Sequence, residues 1–120
     1  MTTTETKLTP AEYMPVANEI VRQLGRGFSV ITGAKNFIGL PDQRGGVMFR
    51  LPMNGNPKRI SHVRIILNWM DMYDVEFLQV RGGRNPTVTV VQSVSDVYCD
   101  QLLDVFEAGT GLWATLHPRD

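Results

Sequence analysis

Between positions 47 and 94 apolar and polar residues alternate in four short runs, and the breaks between runs carry turn chemistry: Asn54-Gly55, the acids Asp71 and Asp74, and Gly82-Gly83. Successive side chains of an extended chain point to opposite faces, so such alternation describes strands with one buried face. Asn-Gly and Gly-Gly supply the backbone conformations that tight connections need. Four runs in succession predict a consecutive antiparallel meander. Val47, Phe49 and Leu51 alternate with Met48 and Arg50; Val63, Ile65, Leu67 and Trp69 alternate with His62, Arg64, Ile66 and Asn68. Residues 75–81 and the β-branched run 87–91 complete the series.

A meander has two ends. The Asn54-Gly55 and Gly82-Gly83 turns fall at one of them, which brings Lys58 and Arg59 toward Arg81 and Arg84; the connection from Asp71 to Glu76 falls at the other. The expected burial follows the same alternation. Phe49, Val63, Ile65, Leu67, Val75, Phe77, Val88 and Val90 are expected inside, covered by Val16, Ile20, Leu24, Tyr98, Leu102 and Phe106.

The covering residues lie on two predicted helices. Thr9-Pro10-Ala11-Glu12 combines a capping Thr, a Pro at the first helical position and a Glu three residues after the cap. Leu8 and Tyr13 fit a flanking staple, Val16, Ala17, Ile20, Val21 and Leu24 recur at helical spacing, and Gly25 is a fitting stop. Pro15 interrupts this pattern and predicts a kink or a fresh start. Ser95 is the expected cap of the last helix, Tyr98, Leu102, Val105 and Phe106 its apolar stripe, Gly109 its end, and Asp96, Asp100, Asp104 and Glu107 its acidic face. Between the first helix and the meander, residues 28–32 read as a strand and 33–46 as a long connection.

At 120 residues the chain is one domain with enough apolar content, 42%, to form a core without a metal or disulfide. The expected organisation is a disordered tail over 1–8, an α+β domain over 9–116 and a short tail over 117–120. Cys99 is the single cysteine, expected to be a buried, inert thiol in a reducing compartment, the cytoplasm. No run approaches a membrane span and the first residues carry no apolar signal core, so neither export nor insertion is expected. Twelve basic residues balance twelve acids, which removes a global field toward nucleic acid or anionic lipid. The distribution is uneven: residues 44–84 hold seven Lys or Arg against three acids, and residues 95–120 one Arg against five acids.

Complete catalytic constellations are missing from the sequence. Thr32-Gly33-Ala34-Lys35-Asn36 lacks the Gly-Lys-Ser/Thr core of a phosphate loop, and Gly25-Arg26-Gly27 opens toward a predicted strand and not a helix. The histidines are His62, in a strand beside Arg64, and His117, before Pro118; a nucleophile, base and orienting acid are not assembled by spacing alone. Asp71, Asp74 and Glu76 follow neither a calcium loop nor a paired-histidine pattern, and no metal or cofactor is expected. Basic residues are the better candidates. Arg81 and Arg84 bracket a Gly-Gly tip from which a guanidinium can reach phosphate or carboxylate. Trp69 and Tyr73, with Met70 and Met72, flank the opposite turn; they are core-type residues that also suit an adaptable protein interface.

Thr32-Gly33-Ala34-Lys35-Asn36-Phe37, Tyr73-Asp74-Val75-Glu76-Phe77, and Val97-Tyr98 with Gln101-Leu102, Val105-Phe106 and Thr110-Gly111-Leu112 resemble a group of short uncharacterised proteins encoded on bacterial prophages and plasmids. The resemblance spans residues 20–112 and implies a mobile-element accessory protein with no assigned activity. The expectation from sequence is therefore an α+β fold, a four- to five-stranded mainly antiparallel meander packed against an N-terminal and a C-terminal helix. The expected function is non-enzymatic binding to a host protein complex, in the manner of a defence-system inhibitor. Two alternatives stand beside it: a nucleic-acid-binding module using Arg50, Lys58, Arg59, Arg64, Arg81 and Arg84, and a small hydrolase or ligand-binding enzyme around His62 and the acids from Asp71 to Glu76. No membrane partner is expected, and the oligomeric state is open.

Overall fold

Helix α1, Pro10–Leu24, begins as its sequence dictates: the Thr9 amide donates to Glu12 Oε1 at 2.8 Å, closing the first turn. The computed structural model describes residues 8–25 and 27–112, so the expected tail up to Lys7, Arg26, His117 and the C-terminal tail lie outside the described residues. Pro15 does not restart the helix, which runs through it as one element with Pro15 on the exposed side. Ala17, Ile20 and Leu24 form the buried stripe.

The segment expected as a strand is a short helix, α2, Phe28–Thr32. A strand would bury positions 28, 30 and 32 together; here Phe28 and Thr32 are buried one turn apart while Val30 is 88% exposed. The Thr32 hydroxyl donates to the Phe28 carbonyl at 2.7 Å, and Gly33 closes the turn in the left-handed conformation. The expected long connection contains the first strand, β1, Lys35–Leu40. Then follow β2, Gly46–Arg50; β3, His62–Leu67; β4, Tyr73–Arg81; and β5, Thr87–Val97. They form one antiparallel sheet in the order β1-β2-β3-β4-β5, the meander expected, with its fifth strand supplied by residues 35–40. The Asn54-Gly55 turn is the end of a 3-10 turn, Met53–Gly55, within a wider connection.

Both long helices contact the sheet, α1 at β1 and β2 and the last helix, α3 (Leu102–Thr110), at β4 and β5. Beneath them Val47, Phe49, Val63, Ile65, Val75 and Phe77 are each at most 1% exposed. Phe28 joins the layers: its ring meets Phe49 edge-on at 5.4 Å and Phe106 of α3 at 4.8 Å, and Phe37 of β1 lies 5.0 Å from Phe49.

The last helix departs from expectation at both ends. β5 continues to Val97, so Ser95 and Asp96 are strand residues, Asp96 with φ 58°, and Asp96 does not share a helical face with Asp100 and Asp104. A 3-10 turn, Cys99–Gln101, leads into α3; Tyr98 is 60% exposed, and Cys99 is exposed rather than buried. Gly109 is inside α3 and Gly111, φ 79°, caps it. A Cβ at Gly109 would stand 2.2 Å from the Phe77 ring, so the glycine permits close seating of the helix. Val88 and Val90 are 59% and 53% exposed, contrary to the expected core. Val91 is an extra residue in the β4–β5 ladder, where Phe77 faces Gln92 and Leu78 faces Val90, and this bulge interrupts the alternation on which the expectation rested.

Gly109→Ala is expected to destabilise the domain by about 1–3 kcal/mol in urea unfolding, because Phe77 is locked in the core and cannot yield without moving β4.

Candidate functional site

The two long helices lie on one side of the sheet, and the residues on the other side form rows across the strands, with Ile66 and Leu78 buried among them. One row runs Lys35, Arg50, His62, Leu78, Val90, each facing the next on the adjacent strand. Its first half is basic and its second apolar. Lys35 and Arg50 are exposed, His62 is half-buried, and Leu78 is closed over by its neighbours at 6% exposure. Beyond the row the β4–β5 hairpin outruns β3, whose first residue faces Leu78, and carries Val80 and Val88 outward on this side with Arg84 at its tip, while Arg81, next after Val80, points to the other side.

The next row inward is Ile38, Met48, Arg64, Glu76, Ser93. Arg64 donates to Glu76 Oε1 at 2.6 Å and to Asp42 Oδ2 at 2.8 Å, so its charge is internally neutralised. Arg44 is paired in the same way with Asp71. Asn68 is buried at the β3–β4 turn: its Nδ2 donates to Asp74 Oδ1 at 2.9 Å and Asp96 Oδ1 at 3.1 Å, while its Oδ1 accepts from the amides of Met70 and Met72 at 2.8 and 3.1 Å. All four hydrogen-bonding positions of this amide are used.

Charge pairing therefore divides the molecule. At the turn end of the sheet each of the acids Asp42, Asp71, Asp74 and Glu76 is bonded to a neighbouring side chain. At the opposite end Lys35, Arg50, Arg59, Arg81 and Arg84 have no carboxylate partner among the described residues. Cations left unpaired on facing strands repel one another, a cost that an anionic partner removes.

The expected grouping of Lys58 and Arg59 with Arg81 and Arg84 holds at the level of topology, since both connections leave the same end of the sheet and the Gln79 amide donates to the Lys58 carbonyl at 3.4 Å. The Lys58 ammonium turns away to the Ala108 carbonyl at 2.9 Å near the end of α3. Nothing local in the sequence marks Lys35 as a binding residue; only the register of β1 against β2 brings it opposite Arg50. At the other end Trp69 and Met70 are each 70% exposed, whereas Tyr73 is 5% exposed and faces the core, so the two aromatics do not form one surface. Burial under the helix layer holds the Tyr73 hydroxyl above its usual 10.0.

His62 does not meet the acids proposed as its catalytic partners. It lies at the start of β3, where Ser61 Oγ contacts its Nδ1 at 2.9 Å; Asp71 and Asp74 lie at or beyond the turn that follows the strand's other end, and Glu76, two residues before the Leu78 that faces His62, is bonded to Arg64. Burial first, and the Arg50 charge second, hold its imidazole below the usual 6.5. Among the described residues no group of three His, Cys, Asp or Glu is placed to hold a metal ion, and no helix is long and apolar enough to cross a membrane. Compared with known proteins, the chain matches no family model, no curated protein and no solved structure.

His62 is expected to titrate below 6.5 by NMR, and Arg50→Gln to return it partway upward. The sign for folding follows: because the folded pKa is lowered, the contribution of His62 to stability is full above its ordinary pKa and is lost as pH falls through the folded value.

Proposed function

We propose that this chain is a non-enzymatic binding protein whose working surface is the basic end of the sheet face away from the long helices, and that its partner is the acidic, partly apolar face of another protein. The observation that carries this reading is the unpaired Lys35 and Arg50 side by side on that face, with the unpaired Arg59 in the connection at the same end, while Arg64 and Glu76 on the same face pair with each other. Such charge steers encounter, and the half-buried Val80 beyond the row adds apolar contact on the same face. The resemblance to prophage and plasmid accessory proteins supports a host protein complex as the partner, a defence-system inhibitor as the role and the cytoplasm as the place.

Nucleic acid is the second reading, and the same cations favour it. Against it, the row carries no Phe, Tyr or Trp, the side chains on which sheet-surface binders stack bases.

The test is capture from bacterial lysate with and without nuclease, followed by kinetics with the partner found. Lys35→Glu with Arg50→Glu is expected to slow association by about tenfold or more, while thermal stability changes by no more than about 1 kcal/mol. Capture that survives nuclease and falls with the double variant supports the protein partner. Capture abolished by nuclease, with affinity falling about a thousandfold between low and moderate salt, supports nucleic acid. Unaltered binding by the folded double variant removes the basic row from the mechanism.

A further inference from the structure

The two edges of the sheet are unlike. β1 carries the exposed Lys35, a bulge between Lys35 and Ile38, and a left-handed Asn36 at φ 58°, features that keep a second strand from adding to an edge. β5 has an uncharged run from Thr87 to Ser95, rich in β-branched residues, and every residue from 87 to 93 is exposed. Its outer side pairs with no other strand among the described residues.

We infer that β5 is the dimer interface of this protein, pairing antiparallel with β5 of a second copy across a two-fold axis at Thr89 to give a continuous ten-stranded sheet. The register follows from what bounds the regular part of the strand. Pro86 lacks an amide hydrogen before it and the Val91 bulge interrupts it afterwards, leaving the segment from Thr87 to Val90. Centring on Val88 would set Val90 against Pro86, and centring on Val90 would set Val88 against Gln92 across the bulge. Centring on Thr89 sets Val88 of each copy against Val90 of the other, and Thr89 against itself. Val88 and Val90 share the helix-free face, opposite Val80 and Leu78 of their own chain, so the two copies join eight apolar side chains into one cluster. The exposure of Val88 and Val90, 59% and 53%, is then the exposure of a separated half.

Charge selects a second copy as the occupant. Arg81 and Arg84 stand at the start of β5's hairpin, and Asp96, Asp100 and Asp104 at or just beyond its end. Antiparallel pairing of two copies carries each basic tip toward the other copy's acidic end, where Val94, Asp96, Gln101 and Asp104 line a shallow depression. A parallel arrangement would oppose like charges. The formal net charge of 0 adds no long-range repulsion between copies. The symmetry is isologous and closes at two, since the β1 edges left outermost are the protected ones.

The experiment is sedimentation equilibrium of the full chain over a micromolar range, with site-directed crosslinking, and needs no other partner. The wild type is expected to sediment as a concentration-dependent dimer. Val88→Lys with Val90→Lys, which sets lysines against one another, is expected to raise the dissociation constant by at least about tenfold with an unchanged circular dichroism spectrum. In a Cys99→Ser background, Thr89→Cys is expected to form a disulfide-linked dimer under mild oxidation and Ser93→Cys to stay monomeric, because only position 89 meets its own copy. A wild type that is monomeric throughout, a double-lysine variant that dimerises as well as the wild type, or equal crosslinking at positions 89 and 93 would each overturn the inference. Any of these results leaves the lysate capture by the basic row to stand or fall separately.

Discussion

The contact of Phe28 with Phe49 and Phe106 is the constraint on which the rest of the structure depends. Three rings from α2, β2 and α3 meet edge-on or tilted within 4.8–6.2 Å, and they come from distant parts of the chain. None of the three elements could be positioned by its neighbours in sequence alone. The cluster holds α2, only 5 residues long, against the sheet; a helix of that length has too few internal hydrogen bonds to persist unaided. It also draws α3 onto β4, where Gly109 lets the helix settle against Phe77. By committing both helices to one side of the sheet, the cluster leaves the other side free of them, which is what makes a row such as Lys35, Arg50 and His62 available to solvent.

The meander and its helix-facing residues were legible because their signals are local. Alternation around Phe49, Val63 and Phe77, and the cap at Thr9, state their structure within a few residues. What was not legible depends on partners far away. Phe28 to Thr32 is β-branched enough to read as a strand, and the distant rings of Phe49 and Phe106 join the local Thr32 and Gly33 bonds in favouring its helical form. Lys35 to Leu40 pairs with β2 through an irregular ladder that weakens its own alternation. Val88, Val90 and Tyr98 look like core residues, but a bulge and a longer β5 turn them outward. Of the candidate surface, Arg50, Arg59, Arg81 and Arg84 could be named from sequence, whereas Lys35 and the pairing of Arg64 with Glu76 and Asp42 needed the registers.

The two ends of the sheet solve the problem of charge differently. At the turn end, carboxylates and guanidiniums satisfy one another, as in the Arg64 bridge between Asp42 and Glu76. Such pairs contribute little to folding where water reaches them, and their effect is to neutralise the guanidiniums, while Asp74 and Asp96 bond the uncharged Asn68 amide and keep that end acidic. At the basic end the charges are left facing outward. A small domain with no net charge thus presents one directional field, without the indiscriminate attraction of a uniformly basic protein.

Asn68 gives this architecture a means of proofreading strand alignment. Its amide spans the turn that ends β3 and reaches Asp96, near the far end of the chain's last strand. A slip of β5 by one residue would carry that carboxylate about 3.4 Å along the strand, out of hydrogen-bonding range, and strand a buried amide hydrogen. Misaligned sheets are thereby penalised at a point remote from the aromatic core, so a wrongly registered β5 is discarded even when its valines could still pack.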